Sequence, residues 1–164
     1  MASDPTVTRK QLIDKLQEDL SREYQAILAY VVYSQALKGA AYMSIAKELE
    51  VHAGEELQHA LTIAKQIDYL GGMPNGTALP VVITEDPRGM LRADLENESA
   101  TIRAYRERVV QCEALGEYAI AEEIREILRQ EQEHLVDLAT ALGEDAPDVR
   151  ASRPATKKPK KARA

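Results

Sequence analysis

The chain repeats itself. EYQAILAY at 23–30 is echoed by ESATIRAY at 98–105, and SIAKELEVHAGEELQH at 44–59 by AIAEEIREILRQEQEH at 119–134. Both echoes fall at the same offset of 75 residues. The aligned positions are Glu23 with Glu98, Tyr30 with Tyr105, and Glu56-x-x-His59 with Glu131-x-x-His134. Glu23 stands 33 residues before Glu56, and Glu98 stands 33 before Glu131. A fold for this chain must therefore treat its two halves alike, and must do so at residues that carry charge.

Helix punctuation shows what each half is. Thr8 followed by Gln11 is a capping-box pattern, opening a run that stops at Lys38-Gly39. A second run goes from about Ala41 to Leu70 and ends at Gly71-Gly72. The stretch GGMPNGTALPVVITEDP then carries three Pro and little helical period, which marks a long connection. Asp86-Pro87 is a helix start with Asp as N-cap and Pro in the first turn. The third helix runs to Leu115-Gly116 and the fourth ends at Leu142-Gly143. Val81-Val82-Ile83 has no partner strand in the chain, so a sheet is excluded. The expectation is an all-α, antiparallel four-helix bundle over residues 8–143, with one long crossover between helices 2 and 3. An N-terminal segment (1–7) and a tail (144–164) flank it.

The spacing also fixes the register. The intervals 23–56 and 98–131 are centred beside Gly39 and Gly116, where the chain turns. Residues equidistant from a hairpin turn lie at one height, here roughly 22–24 Å along each helix at ~1.5 Å per residue. Each hairpin thus brings two Glu and one His to one level. The apolar stripes decide their direction. Leu16, Leu20, Glu23, Ile27 and Tyr30 step by alternating fours and threes, as do Ile45, Leu49, His52, Glu56, His59 and Ile63. Helices 3 and 4 give Leu91, Leu95, Glu98, Ile102, Tyr105, Val109, Cys112 and Ile120, Ile124, Ile127, Glu131, His134, Leu138. The six polar residues occupy core slots.

Four carboxylates in a bundle core cannot all stay ionised without cations. Two divalent ions offset four negative charges, with neutral imidazoles completing each site. A mixed oxygen and nitrogen donor set suits iron or manganese, and the absence of thiolates argues against structural zinc. The single cysteine, Cys112, also excludes a disulfide framework.

Charge divides the chain. Net charge is −6, but RPATKKPKKARA at 153–164 holds six of the 21 basic residues and no acid. The preceding 152 residues carry 15 basic against 27 acidic side chains, a net of −12. An acidic body disfavours nucleic acid, whereas the tail favours a polyanion such as DNA. Its composition predicts disorder. With 45% hydrophobic residues but no Trp and no Phe, the core must be aliphatic, helped by seven Tyr. No apolar run approaches the ~20 residues of a membrane span, and MASDPTVTRK has no apolar h-region. A cytoplasmic protein with no membrane partner is expected.

Glu23, Glu56-x-x-His59, Glu98 and Glu131-x-x-His134 resemble the di-iron ligand set of the ferritin-like superfamily, and within it that of bacterioferritin. The resemblance covers about residues 8–142, including SREYQAILAY, LGGMPN, MLRADLENE and EILRQEQEH. It implies two iron ions per subunit, with Glu56 and Glu131 bridging them. Glu23 with His59 would hold one ion, and Glu98 with His134 the other. It further implies a ferroxidase: Fe(II) is oxidised by O₂ or H₂O₂, and ferric mineral is stored inside a homo-oligomeric shell. Tyr30 matches a tyrosine near the bacterioferritin site that could supply an electron or a hydrogen bond. Two departures matter. The family's haem-ligating Met is replaced by Leu57, so no haem is expected, and no fifth helix follows Gly143. The missing helix brings a 12-subunit, Dps-like shell alongside the 24-subunit cage.

Other readings stay open at this level. His52, whose repeat partner is Ile127, is either a satisfied core histidine or an accessory-iron residue. Tyr30 and Tyr105 either pack the seam or take part in redox chemistry, and Cys112 reads as a small hydrophobe. Glu48 and Glu50 are candidates for mineral nucleation. Against iron storage stand two further functions: a Dps-like DNA-protecting mini-ferritin using its basic tail, and a rubrerythrin-like di-metal peroxidase.

Overall fold

The computed structural model describes residues 7–150. Within them lie four long helices: α1 (Arg9–Ala36), α2 (Met43–Tyr69), α3 (Pro87–Ala114) and α4 (Tyr118–Leu142). A single 3-10 turn, Ala40–Tyr42, precedes α2, and no strand occurs among the described residues. The basic stretch 153–164 lies outside the described residues.

The predicted signals act where they were read. Gln11 N–H donates to Thr8 Oγ1 at 3.2 Å while Thr8 N–H donates to Gln11 Oε1 at 2.8 Å, closing the capping box. Asp86 Oδ2 accepts from Gly89 N–H at 3.0 Å, with Pro87 as the first helical residue. Gly143 ends α4 at φ 73° and ψ 32°, a left-handed cap that any residue with a Cβ would strain to adopt. Gly72 is fixed by space instead. A Cβ there would sit 2.8 Å from Ile13 Cγ2 and 3.0 Å from Ile67 Cγ2, so the start of the crossover presses directly on α1 and α2.

The crossover lies along α1 and is held by its polar side chains. Gln17 Nε2 donates to the Met73 carbonyl at 2.6 Å, and Asn75 N–H donates to Gln17 Oε1 at 2.9 Å. Leu79 N–H reaches the Ser21 carbonyl at 3.2 Å, Gln25 reaches Pro80, and the Tyr33 hydroxyl donates to the Val82 carbonyl. The segment is irregular because its backbone partners are these side chains rather than its own turns. It delivers α3 to the end of the bundle where α1 finishes. Each hairpin packs on itself, and α1 meets α3 while α2 meets α4 across the pseudo-two-fold axis.

The core is split in two. One apolar cluster gathers Leu12, Leu16, Leu20, Ile63, Ile67, Tyr105, Cys112, Ile120, Ile124 and Ile127. The other gathers Ala29, Tyr30, Tyr33, Leu49, Leu91, Leu95, Ile102, Leu135, Leu138 and Leu142. Each Leu or Ile side chain buried there contributes ~1.5–3 kcal/mol. The predicted stripe residues are buried except Ile27 and Val109, which are half-buried. Past α4 the chain stays on the bundle as far as the described residues go. Arg92 donates to Glu144, and Val149 packs on the second cluster.

Candidate metal centre

Between the two apolar clusters lies a polar layer drawn from all four helices. Glu23 comes from α1, Glu56 and His59 from α2, Glu98 from α3, and Glu131 and His134 from α4. None is more than 3% exposed. The Glu-x-x-His spacing puts carboxylate and imidazole one turn apart on one helix face, and the mirrored Glu of the preceding helix meets them at the same height.

His59 Nδ1 lies 2.9 Å from Glu56 Oε2, 3.3 Å from Glu131 Oε1 and 3.5 Å from Glu23 Oε2. His134 Nδ1 lies 3.0 Å from Glu56 Oε1, 3.1 Å from Glu131 Oε2 and 4.0 Å from Glu98 Oε1. Glu56 and Glu131 therefore divide their oxygens, one to each imidazole, while Glu23 and Glu98 each serve one side. Outward, His59 Nε2 meets Gln130 Oε1 at 2.7 Å and His134 Nε2 meets Glu55 Oε2 at 2.8 Å. Acceptors there hold the proton on Nε2 and present Nδ1 inward, the arrangement that orients an imidazole toward a metal.

The tyrosines cross between the repeats. Tyr30 on α1 donates to Glu98 on α3, and Tyr105 on α3 donates to Glu23 on α1. Each fully buried phenol thus fixes the carboxylate of the opposite half, a pairing that sequence offset alone does not show. Burial, and then the charge of Glu98 or Glu23, keeps both phenols well above their ordinary range.

Without cations the layer balances its charge with protons. Burial, reinforced by Glu56 and Glu131, raises the carboxyl of Glu23 well above the usual range; burial with Glu131 and Glu56 does the same to Glu98. Burial would raise Glu56 too, but the imidazoles of His134 and His59 facing its two oxygens outweigh it and hold that carboxylate low. For His134, burial is outweighed by the hydrogen bond to Glu131 and the facing carboxylate of Glu56, which push it up to about 11. His59 is raised the same way by Glu131, Glu23 and Glu56.

The donors fit a pair of divalent cations. Ligand atoms of Glu23, Glu56, His59 and Glu131 lie within 4.8 Å of one another, as do those of Glu56, Glu98, Glu131 and His134. Bonds of ~2.0–2.2 Å place neighbouring ligand atoms ~3.0–3.5 Å apart, close to the separations above. Glu23 Oε2 and Glu56 Oε1 are buried with no hydrogen-bond partner, leaving lone pairs directed into the layer. Four carboxylates with two imidazoles would neutralise two such ions.

Other sequence candidates fall elsewhere. Cys112 is fully buried in an apolar cluster, and burial pushes its thiol up to about 12, so it acts as a hydrophobe. Leu57 is half-exposed on α2, and Glu48 and Glu50 are exposed. His52 is buried beside His134, with the rings stacked at 4.0 Å. Several further polar residues are buried outside the predicted set. Arg108 Nε donates to Asp19 Oδ2 at 2.7 Å and Nη2 to Oδ1 at 3.2 Å, tying α3 to α1. Asp94 is 2% exposed, and its Oδ2 has no partner. Asp19 and Asp94 sit at the same 75-residue offset, one turn before Glu23 and Glu98 on the same seam, so the repeat did carry a signal for them.

No described helix is long and apolar enough to cross a membrane. The family described as Ferritin-like domain matches residues 13–146. A bacterioferritin of Brucella melitensis is 28% identical over 142 residues, covering 82% of this chain and 88% of its own length. A bacterioferritin of Desulfovibrio desulfuricans is 28% identical over 144 residues, covering 82% and 76%. Among solved structures, a ferritin-like diiron-carboxylate protein from Bacillus anthracis superposes with a TM-score of 0.79 at 31% identity, covering 87% of this chain and 99% of that one. A dodecameric thioferritin, the bacterioferritin-related protein from Bacteroides fragilis, superposes with a TM-score of 0.77 at 28% identity, covering 84% and 87%.

Proposed function

Because this chain belongs to the ferritin-like domain family, we propose that its buried polar layer binds two iron ions per chain. In this reading the protein oxidises Fe(II) to Fe(III) with O₂ or H₂O₂ and stores the ferric product inside a homo-oligomeric shell, in the cytoplasm. The observation that carries this reading is the division of Glu56 and Glu131 between the two imidazoles. A carboxylate whose two oxygens face two separate nitrogen donors would offer one oxygen to each of two ions. Glu23 with His59 would hold one ion, and Glu98 with His134 the other. Manganese suits the same donors. The bound pair supplies two electrons at once, which matches the reduction of H₂O₂ to two waters with uptake of two protons.

The side chains do the rest. Glu23, Glu98, His59 and His134 surrender the protons that balance the metal-free layer, so metal uptake and proton release are one event. Glu55 and Gln130 keep the imidazoles turned inward. Tyr30 orients Glu98 through its hydroxyl, and Tyr105 orients Glu23 in the same way. The two apolar clusters exclude water above and below.

The kinship to bacterioferritins and to a dodecameric relative supports a shell of 12 or 24 chains. The test joins an assembly mass to an iron count and an oxidation rate. Twelve or twenty-four chains, two rapidly oxidised irons per chain and a larger slowly filled iron core are expected. A dimer that oxidises iron but stores none would overturn storage and favour a di-metal peroxidase.

A further inference from the structure

Among the positions at which the two halves of the bundle differ, three that lie close together add metal-binding groups. His52 stands where the second half has Ile127, Glu55 where it has Gln130, and Asp137 where the first half has Thr62. Packing does not require this. Ile127, in the slot equivalent to His52, is 3% exposed and simply joins an apolar cluster.

His52 is 1% exposed, stacked on His134 and set edge-on to Tyr30 at 5.3 Å. Its Nε2 lies 3.2 Å from Asp137 Oδ2 and 3.7 Å from Glu48 Oε1. Its other nitrogen, Nδ1, is buried without a partner. Glu48 and Asp137 line a groove of about 430 Å³ between α2 and α4, and their side chains are 48% and 43% exposed. A buried imidazole thus stands directly behind two solvated carboxylates, with ligand atoms from all three residues within 4.8 Å of one another. Adjacent ligands of one first-row cation lie ~3.0–3.5 Å apart, so shifts of about 1 Å in two solvent-accessible side chains close the set. One imidazole with two carboxylates suits a divalent first-row ion, and the open groove leaves its remaining positions to water.

We propose that Glu48, His52 and Asp137 form a third divalent-cation site, mononuclear and reached from the α2–α4 groove. Glu55 links it inward: ligand atoms of His52, Glu55 and His134 also lie within 4.8 Å of one another. The site serves one half of the bundle alone, since the equivalent positions opposite are Glu123, Ile127 and Thr62. The Glu98–His134 end of the buried layer therefore has a neighbouring cation store that the Glu23–His59 end lacks. This assignment stands on the groove residues and does not depend on what the buried layer binds.

Zinc is the probe, because it is redox-inert and forms no mineral that would confuse the count. Equilibrium dialysis of the metal-free full chain at micromolar Zn²⁺ should give three ions per chain. His52→Ile installs the residue the repeat already accommodates, and Asp137→Thr installs the residue of the other half at a half-exposed position. Each should lower the count by one while helical circular dichroism is unchanged. Two zinc per chain in the unmodified protein, or three retained in both variants, overturns the third site. If instead the buried layer takes no zinc, the unmodified protein binds one ion and His52→Ile none, so failure of the two readings is told apart.

Discussion

Replacing Glu56 by Gln keeps the shape of the side chain and removes one charge from the point that both halves share. Its oxygens sit 2.9 and 3.0 Å from the two Nδ1 atoms, so the amide fills the same space. With four carboxylates, two divalent ions leave the layer neutral; with three, the loaded layer carries a buried positive charge. Donor atoms around each position lie within 4.8 Å. At that separation, with an effective dielectric of about 20, the attraction between one unit charge and a divalent ion is ~7 kcal/mol. The second ion should therefore bind on the order of 10⁵-fold more weakly, and two-electron oxidation should collapse, because it needs both ions together. The metal-free fold should change little, since the Glu56 charge is one cause of the raised carboxyls of Glu23 and Glu98, and its loss is met by their ionisation. The assay is anaerobic loading with two Fe(II) per chain, then stopped-flow mixing with oxidant, with thermal unfolding of the metal-free variant in parallel. Unmodified oxidation rates with two irons still bound would refute the bridging role and the charge argument together.

Three further outcomes follow from other parts of the molecule. The His134 imidazole is raised from 6.5 to about 11, so it stabilises the metal-free chain fully below about pH 6.5, and that stability is lost as pH rises toward 11. Thermal unfolding of the metal-free protein should show a falling midpoint from pH 6.5 to 9.5, and calorimetry in buffers of different ionisation enthalpy should show protons released on metal binding. Arg108→Leu leaves Asp19, fully buried, with Arg22 as its remaining partner. It should cost ~3 kcal/mol in chemical denaturation, part of it recovered by adding Asp19→Asn. Removing residues 150–164 takes away the six-charge basic stretch and should abolish a low-salt DNA gel shift by the intact shell; equal shifts would exclude the tail as a DNA-binding element.

Much of this protein is legible in one dimension because its information is periodic. Helix ends are local chemistry: Thr8 with Gln11, Asp86 with Pro87 and the terminal glycines satisfy or terminate backbone groups within a few residues of themselves. The level of the six site residues also needs no tertiary knowledge, since helical rise and equal distance from a turn fix it. What the chain alone does not give is which partner lies opposite across helices far apart in sequence. Tyr30 fixing Glu98, Tyr105 fixing Glu23, Arg108 reaching Asp19 and His52 meeting Asp137 all depend on how α1 docks on α3 and α2 on α4. Docking is set by the summed packing of two apolar clusters and by a crossover anchored on α1, quantities spread over the whole fold. Sequence periodicity thus placed the charges at one depth inside the bundle, and only the packed helices decided which of them share an oxygen, a proton or a neighbour.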